Sequence, residues 1–378
     1  MQILWCLSYQ RFIREKALEQ KFAWSNAFHL PYKKRPRPVF DRTGQYDFYG
    51  PALSFNWAEF RIPELKLIND NFRSVCTERA REIYDFAVTN QKKIILFYSG
   101  GIDSTCVLCS FILEVGLEKS KEQIVLCFNE DSITENPEFY KKFIQDQFTT
   151  VPLTDFIAGN VSKEYMAGVI VTGDIGLYTA SGTISETKCN GLAKIWKEKP
   201  HFFSQPGNYK DHLREYYVDG CNEFGVENNI DQICEVMDAS ALVAGVYNHS
   251  FYDYWWWYNF NFRFVDQYFW VAQHCFALFS QPLGADYWRK HYVPFFSNDK
   301  FQQWDYTNKE ATLNYVMSGA KVRDYKLDLK KLIFQVDGDY DYLVNKDKVV
   351  SYPDMPSTVL IDKNFQCHRQ VWANKLIS

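Results

Sequence analysis

Lys92-Lys93-Ile94-Ile95-Leu96-Phe97-Tyr98-Ser99-Gly100-Gly101-Ile102-Asp103-Ser104-Thr105 is the stretch that decides the fold. It opens as a short apolar run, the pattern of a parallel strand buried on both faces. It breaks on Ser-Gly-Gly. It then resumes with Val107, Leu108, Phe111, Ile112 and Val115, at the three- and four-residue steps of a helix with one apolar face. Gly116 supplies a C-terminal stop. Strand, glycine turn and helix in succession aim free backbone N–H groups and a positive helix end at an anion, most often a phosphate.

Each residue type in the turn suits that task. The glycines let the backbone approach a ligand with no Cβ in the way. Ser99, Ser104 and Thr105 add hydroxyl groups, and Asp103 puts a carboxylate where the magnesium of a nucleotide would sit. No Lys follows the second glycine, so the GxxxxGK[ST] phosphate loop is excluded, and G-x-G-x-x-G is absent. The competing structural explanation is a Gly-Gly turn ahead of an ordinary core helix.

The chain has 378 residues, enough for one large domain or two ordinary ones. Its 46 acidic and 42 basic residues nearly balance, so no global field draws in nucleic acid. The 31 Phe, 25 Tyr and 11 Trp suit a heavily packed interior or an extensive contact surface. Ten Cys lie scattered with no even framework, which points to a reducing cytoplasm. Met1 to Leu7 is apolar too briefly for a signal peptide or a membrane span before Arg11, Arg14 and Lys16 intervene.

Residues 1–70 read as an irregular N-terminal segment, with a basic, proline-broken loop over Pro31 to Pro38. Asp70 to Val88 reads as an amphipathic helix with Val75, Ile83, Phe86 and Ala87 inward. Strands are expected over Ile124–Phe128, Thr150–Ile157 and Gly168–Thr172, with a helix over Pro137–Phe148. This alternation implies an α/β fold with a doubly wound, Rossmann-like parallel sheet across residues 71–250. The loops after Tyr98, Phe128 and Thr172 should then meet at the carboxyl ends of the strands. Residues 251–378 read as a helical part packed on that core, beginning after a helix over Asp231–Tyr247. Phe251 to Phe279 is dense in aromatics and includes Trp255-Trp256-Trp257. Core helices are favoured there over a membrane-surface or base-stacking role, because Asp253, Arg263, Asp266 and His274 interrupt the run.

The run Ser99-Gly-Gly-Ile-Asp-Ser104 resembles the SGGxDS signature of the N-type ATP pyrophosphatases, the PP-loop family. The resemblance implies the fold of the adenine nucleotide alpha hydrolases and cleavage of ATP between its α and β phosphates. Three further segments are similar to the synthetase domain of asparagine synthetases. Val169 to Tyr178 is similar to the S-G-[ED]-G-x-D-E signature, with Thr172, Gly173, Asp174 and Gly176 matching its first half. The second carboxylate of that signature, a magnesium ligand, falls near Leu177 and is missing. Val293 to Phe301 resembles V-P-F-L-D-x-x-F, and Lys346 to Pro353 resembles R-x-K-x-x-x-x-P. The resemblance spans roughly residues 75–355. A glutaminase half is not read here, since Gln2 follows Met1 where that module needs Cys.

What the resemblance implies is a carbon–nitrogen ligase using ATP and Mg2+. Ser99, Gly100, Gly101, Ser104 and Thr105 would hold the pyrophosphoryl end, with Gly173 beside the nucleotide and Asp103 on the metal. Leu96, Phe97 and Phe128, at strand ends, mark the adenine neighbourhood. Asp174 would free the attacking amine, and Lys348 would steady the oxyanion and the leaving pyrophosphate. Partners would be a small-molecule or peptide carboxylate and a separate ammonia or amine donor, with no membrane and nucleic acid disfavoured. Two other classes stay open: a PP-loop enzyme modifying a nucleobase or tRNA, and an ATP-binding protein without turnover. Cys106-Val-Leu-Cys109 has the spelling of a thiolase pair, yet its place on the helix after the loop favours two buried core thiols. No cysteine cluster and no grouping of the seven His suggests structural zinc.

Overall fold

The computed structural model describes residues 42–43, 62–173, 230–247, 249–260, 290–317 and 326–346, isolated positions 198, 204, 206 and 287, and the short paired strands 360–361 and 367–368. Helix α1, Phe72–Thr89, starts where the Asn71 side chain accepts the Ser74 amide at 2.9 Å. Val75, Ile83 and Ala87 are buried along its inner stripe, with Cys76 and Ala80 between them. Phe86 departs from expectation. It falls at the margin of the stripe and is 50% exposed, with the Lys92 ammonium 5.8 Å from its ring.

Strand β1, Ile94–Phe97, leads through the Ser-Gly-Gly turn into α2, Ile102–Val115, which stops at Gly116 with φ +87°. Strand β2 is Ile124–Phe128, β3 is Thr149–Pro152 and β4 is Val169–Thr172. The third strand is shorter than expected, for residues 153–157 lie in helix α3, Leu153–Ala158. Pro152 has no N–H to extend the ladder, and its fixed φ suits the residue before a helix. Alternation could not reveal this, because Val151 in the strand and Phe156 in the helix both enter the same apolar cluster. The helix expected over Pro137–Phe148 ends early as well, in a wide turn over Tyr140–Ile144.

Strand β5, Tyr292–Pro294, completes the sheet, whose order is β3-β2-β1-β4-β5 with every pairing parallel. Only three residues long and ending in Pro, β5 carries no periodicity that a sequence could show. The helices α5, Asp299–Thr307, α6, Leu327–Asp337, and α7, Tyr340–Asn345, follow a described aromatic helix α4, Phe251–Asn259. The sheet is two-faced, as period-two alternation demands. Ile94 and Leu96 point into a cluster with α1, α2 and α6, while Ile95, Val125, Cys127 and Ile170 point into another with Phe156 of α3. This is an α/β, Rossmann-like sheet with helices on both faces.

Trp255, Trp256 and Trp257 on α4 are fully buried. Asp253 caps that helix through Ser250 and receives Tyr306 Oη at 3.1 Å, while Trp256 donates to Asp305 at 3.1 Å. Such burial and capping suit core packing. The rest of the aromatic stretch, from residue 261 to Phe279, lies outside the described residues. No helix among the described residues is long and apolar enough to cross a membrane.

Candidate functional site

Strand order reverses at β1: the chain goes from β1 to β2 on one side and later returns to β4 on the other. Such a switch point leaves a crevice at the carboxyl ends of the two strands. Phe97 is level with Cys127 of β2 and with Thr172 of β4, so the three loops leave the sheet at one height.

The first loop is shaped by glycine. Gly100 has φ +73°, and a Cβ built there would overlap the carbonyl oxygen of Ser132 in the short helix Asp131–Glu135 of the connection after β2. Gly101 is the N-cap of α2, with no side chain capping the helix. Thr105 N donates to Gly101 O at 3.0 Å, the first turn of the helical ladder, so the amides before it point out of the helix end. The loop after β4 meets this end directly. A Cβ on Gly173 would lie 2.8 Å from the Asp103 carbonyl carbon and from the Ser104 amide nitrogen. Three loops thus converge on the start of α2.

The three hydroxyl groups divide their roles. Ser99 Oγ and Ser104 Oγ are 3.0 Å apart, and Ser104 Oγ also accepts the Ser99 amide at 3.2 Å. Both residues line the cleft. Thr105 is fully buried and turns its hydroxyl to Tyr98 Oη and Gly100 O, each at 3.3 Å, supporting the loop from beneath. Burial pushes the Tyr98 phenol well above its ordinary range, so it stays neutral.

Asp103 stands in the first turn of α2 with 28% of its side chain exposed. Its Oδ2 accepts from Lys326 Nζ, just before α6. Its Oδ1 is buried with no hydrogen-bond partner among the described residues. A carboxylate with one spare oxygen beside an uncapped helix end is a place where Asp103 could hold a divalent cation, which would supply positive charge there. Phe97 and Phe128 line the same cleft, and Phe128 sits edge-on to Tyr98 at 6.5 Å. Leu96 is instead fully buried in the core beneath α1 and α2. Asp174 and Lys348, with Gly176 and Leu177, lie outside the described residues.

The cleft holds about 90 Å³. A larger hollow of about 280 Å³ opens among Glu138, Lys141, Lys142, Asp337 and Asp339, away from the strand ends. Its lining is a mixed-charge surface of lysines and carboxylates outside the crevice between β1 and β4. Among the described residues no three metal-binding side chains gather. Cys106 and Cys109 are buried free thiols, both on α2, and burial raises Cys109 far above the reactive range.

Three lysines reach this end of the sheet from far along the chain, and of them only Lys346 falls in a segment the sequence singles out, there for Lys348 and not for itself. Lys326 reaches Asp103 across 223 positions, Lys346 reaches Glu135 across 211, and Lys330 supports Lys346. No protein-family model, curated protein or solved structure matches this chain.

Proposed function

We propose that the chain is an adenylating ligase of the N-type ATP pyrophosphatase kind, similar to the synthetase domain of asparagine synthetases. One observation carries the proposal: the uncapped start of α2 at the switch point, walled by Gly100 and Gly173 with no room for a side chain, and the spare oxygen of Asp103. Backbone amides and the Ser99 hydroxyl would take the pyrophosphoryl end of ATP. Asp103 would hold Mg2+, which when bound neutralises charge on the phosphate oxygens. Phe97 and Phe128 would flank the adenine.

A substrate carboxylate oxygen attacks the α-phosphorus, and the bond to the bridging β-oxygen breaks with its electron pair leaving on pyrophosphate. An amine then attacks the acyl carbon and AMP departs. Positioning and charge neutralisation do most of this work, without a side-chain nucleophile. Asp174 as the amine base and Lys348 as the pyrophosphate partner rest on the resemblance alone. Lys326 adds a second cation at the same carboxylate. The free thiols of Cys76, Cys106, Cys109 and Cys127 support a reducing compartment.

That Lys326 contact also favours a second reading, ATP binding without turnover, in which the ammonium occupies the place of the metal. Exchange of labelled pyrophosphate into ATP, run across carboxylates, nucleobases and tRNA, separates the possibilities. Exchange dependent on a carboxylate supports the ligase, and exchange only with a nucleobase or tRNA moves the chain to that branch. ATP binding with no exchange leaves the binder. In Asp103→Asn, exchange should fall at least about a hundredfold with the fold retained; undiminished exchange would sink the assignment.

A further inference from the structure

The outer wall of the cradle is the short helix Asp131–Glu135 after β2. It presses the Ser132 carbonyl against Gly100, and the Glu135 Cβ lies 2.9 Å from the place a Gly100 Cβ would take. The wall is held from behind. Glu135 Oε2 accepts Lys346 Nζ at 3.0 Å, with the two side chains 3% and 11% exposed. The same ammonium donates to the Glu135 carbonyl oxygen. Lys330, 1% exposed on α6, donates to the Lys346 carbonyl at 3.2 Å. Charged groups this far from water are costly unless paired, and a surface contact would have fastened α7 just as well. None of the three lines the cleft.

We propose that Glu135, Lys346 and Lys330 are positioning residues that set the spacing between Ser132 and Gly100, and with it the affinity of the loop for a pyrophosphoryl group. The proposal rests on the phosphate role given to this loop above. Through these residues the C-terminal helices α6 and α7 govern a phosphate cradle to which they contribute no wall.

The test is calorimetric titration of magnesium pyrophosphate into the full chain, at a temperature where circular dichroism shows every variant folded. Glu135→Gln combined with Lys346→Met removes both charges together, so no lone buried ion remains to unfold the chain. Its dissociation constant should rise at least about tenfold, a loss of about 1.4 kcal/mol. Lys346→Arg, which keeps a cation on the carboxylate, should lose less than Lys346→Met. A purely structural role would lower the melting temperature and leave the dissociation constant of the folded chain alone. Binding by the double variant within threefold of the unaltered chain overturns the proposal. Should that variant not fold, Glu135→Gln with Lys346→Gln, which also leaves no lone buried ion and allows a hydrogen bond between the two positions, takes its place under the same criteria. If the unaltered chain binds neither pyrophosphate nor ATP, the phosphate role falls and takes the clasp with it; binding unchanged across all variants removes the clasp alone.

Discussion

The candidate site has a near side and a far side. The near side, Tyr98 to Thr105, closes on itself within eight positions: serine bonds to serine, threonine to tyrosine, and glycine caps its own helix. The far side arrives from more than 200 positions away, as Lys326 on Asp103 and Lys346 on Glu135. The near side supplies shape and partial charge from the backbone, which no side-chain replacement can remove. The far side supplies full positive charge, which tertiary packing alone delivers. On the function proposed above, the glycine turn would make the anion site and remote packing would set how strongly it works.

The sharpest way to break that contrast is Gly100→Ala. Positive φ and the overlap with the Ser132 carbonyl act together, so about 2–4 kcal/mol of stability should be lost. Urea unfolding checks this, and a loss under about 1 kcal/mol would mean the near side is less rigid than drawn. Lys326→Met probes the far side with a smaller effect. Removing the ammonium frees the Asp103 carboxylate, so Mg2+ affinity of the nucleotide-free chain should rise about three- to tenfold, from roughly 1 kcal/mol of interaction. Isothermal titration with Mg2+ reads this, and an unchanged affinity would show that the ammonium does not compete with the ion.

The smallest effect concerns β5, the far-side contribution to the sheet itself. His291 lies beside that strand, stacked 4.4 Å from Tyr287, with Nδ1 2.7 Å from Gly168 O. Burial holds its imidazole below the ordinary value of 6.5, although the Gly168 carbonyl pulls the other way. The unfolded chain therefore takes up the proton first. The stability contributed is present above about pH 6.5 and is lost as pH falls through the depressed value. His291→Gln should flatten the change in urea midpoint between pH 7 and pH 5. An identical slope in both proteins would remove His291 as the cause.

What the sequence disclosed follows from the same near-and-far division. The path β1, glycine turn, α2 was legible because every signal in it is local: apolar run, Ser-Gly-Gly, helical period and terminal Gly116. Strand β5 was not legible, since it is three residues ending in Pro294 and pairs with β4 across 120 positions. The end of β3 at Pro152 was hidden because apolar residues continue into α3. Phe86 was misplaced because helical period fixes an angle, while the reach of the neighbouring elements decides burial. Thr105 was read as a ligand group from its spelling, but its hydroxyl turns inward to Tyr98. Lys326 and Lys330 have no pattern around them that sets them apart from other surface lysines.

The late arrival of β5 bears on how the chain is made. Thr172 ends β4 and meets Tyr292 only 120 residues later, hydroxyl to hydroxyl at 3.0 Å. At ~5–20 residues per second on the ribosome, that outer flank of β4 waits on the order of ten seconds for its neighbour. Throughout that interval a row of backbone donors and acceptors beside Ile170 and Val171 is open to any other extended segment. Nascent chains halted before Tyr292 should therefore be the aggregation-prone species, and the ones on which chaperones dwell.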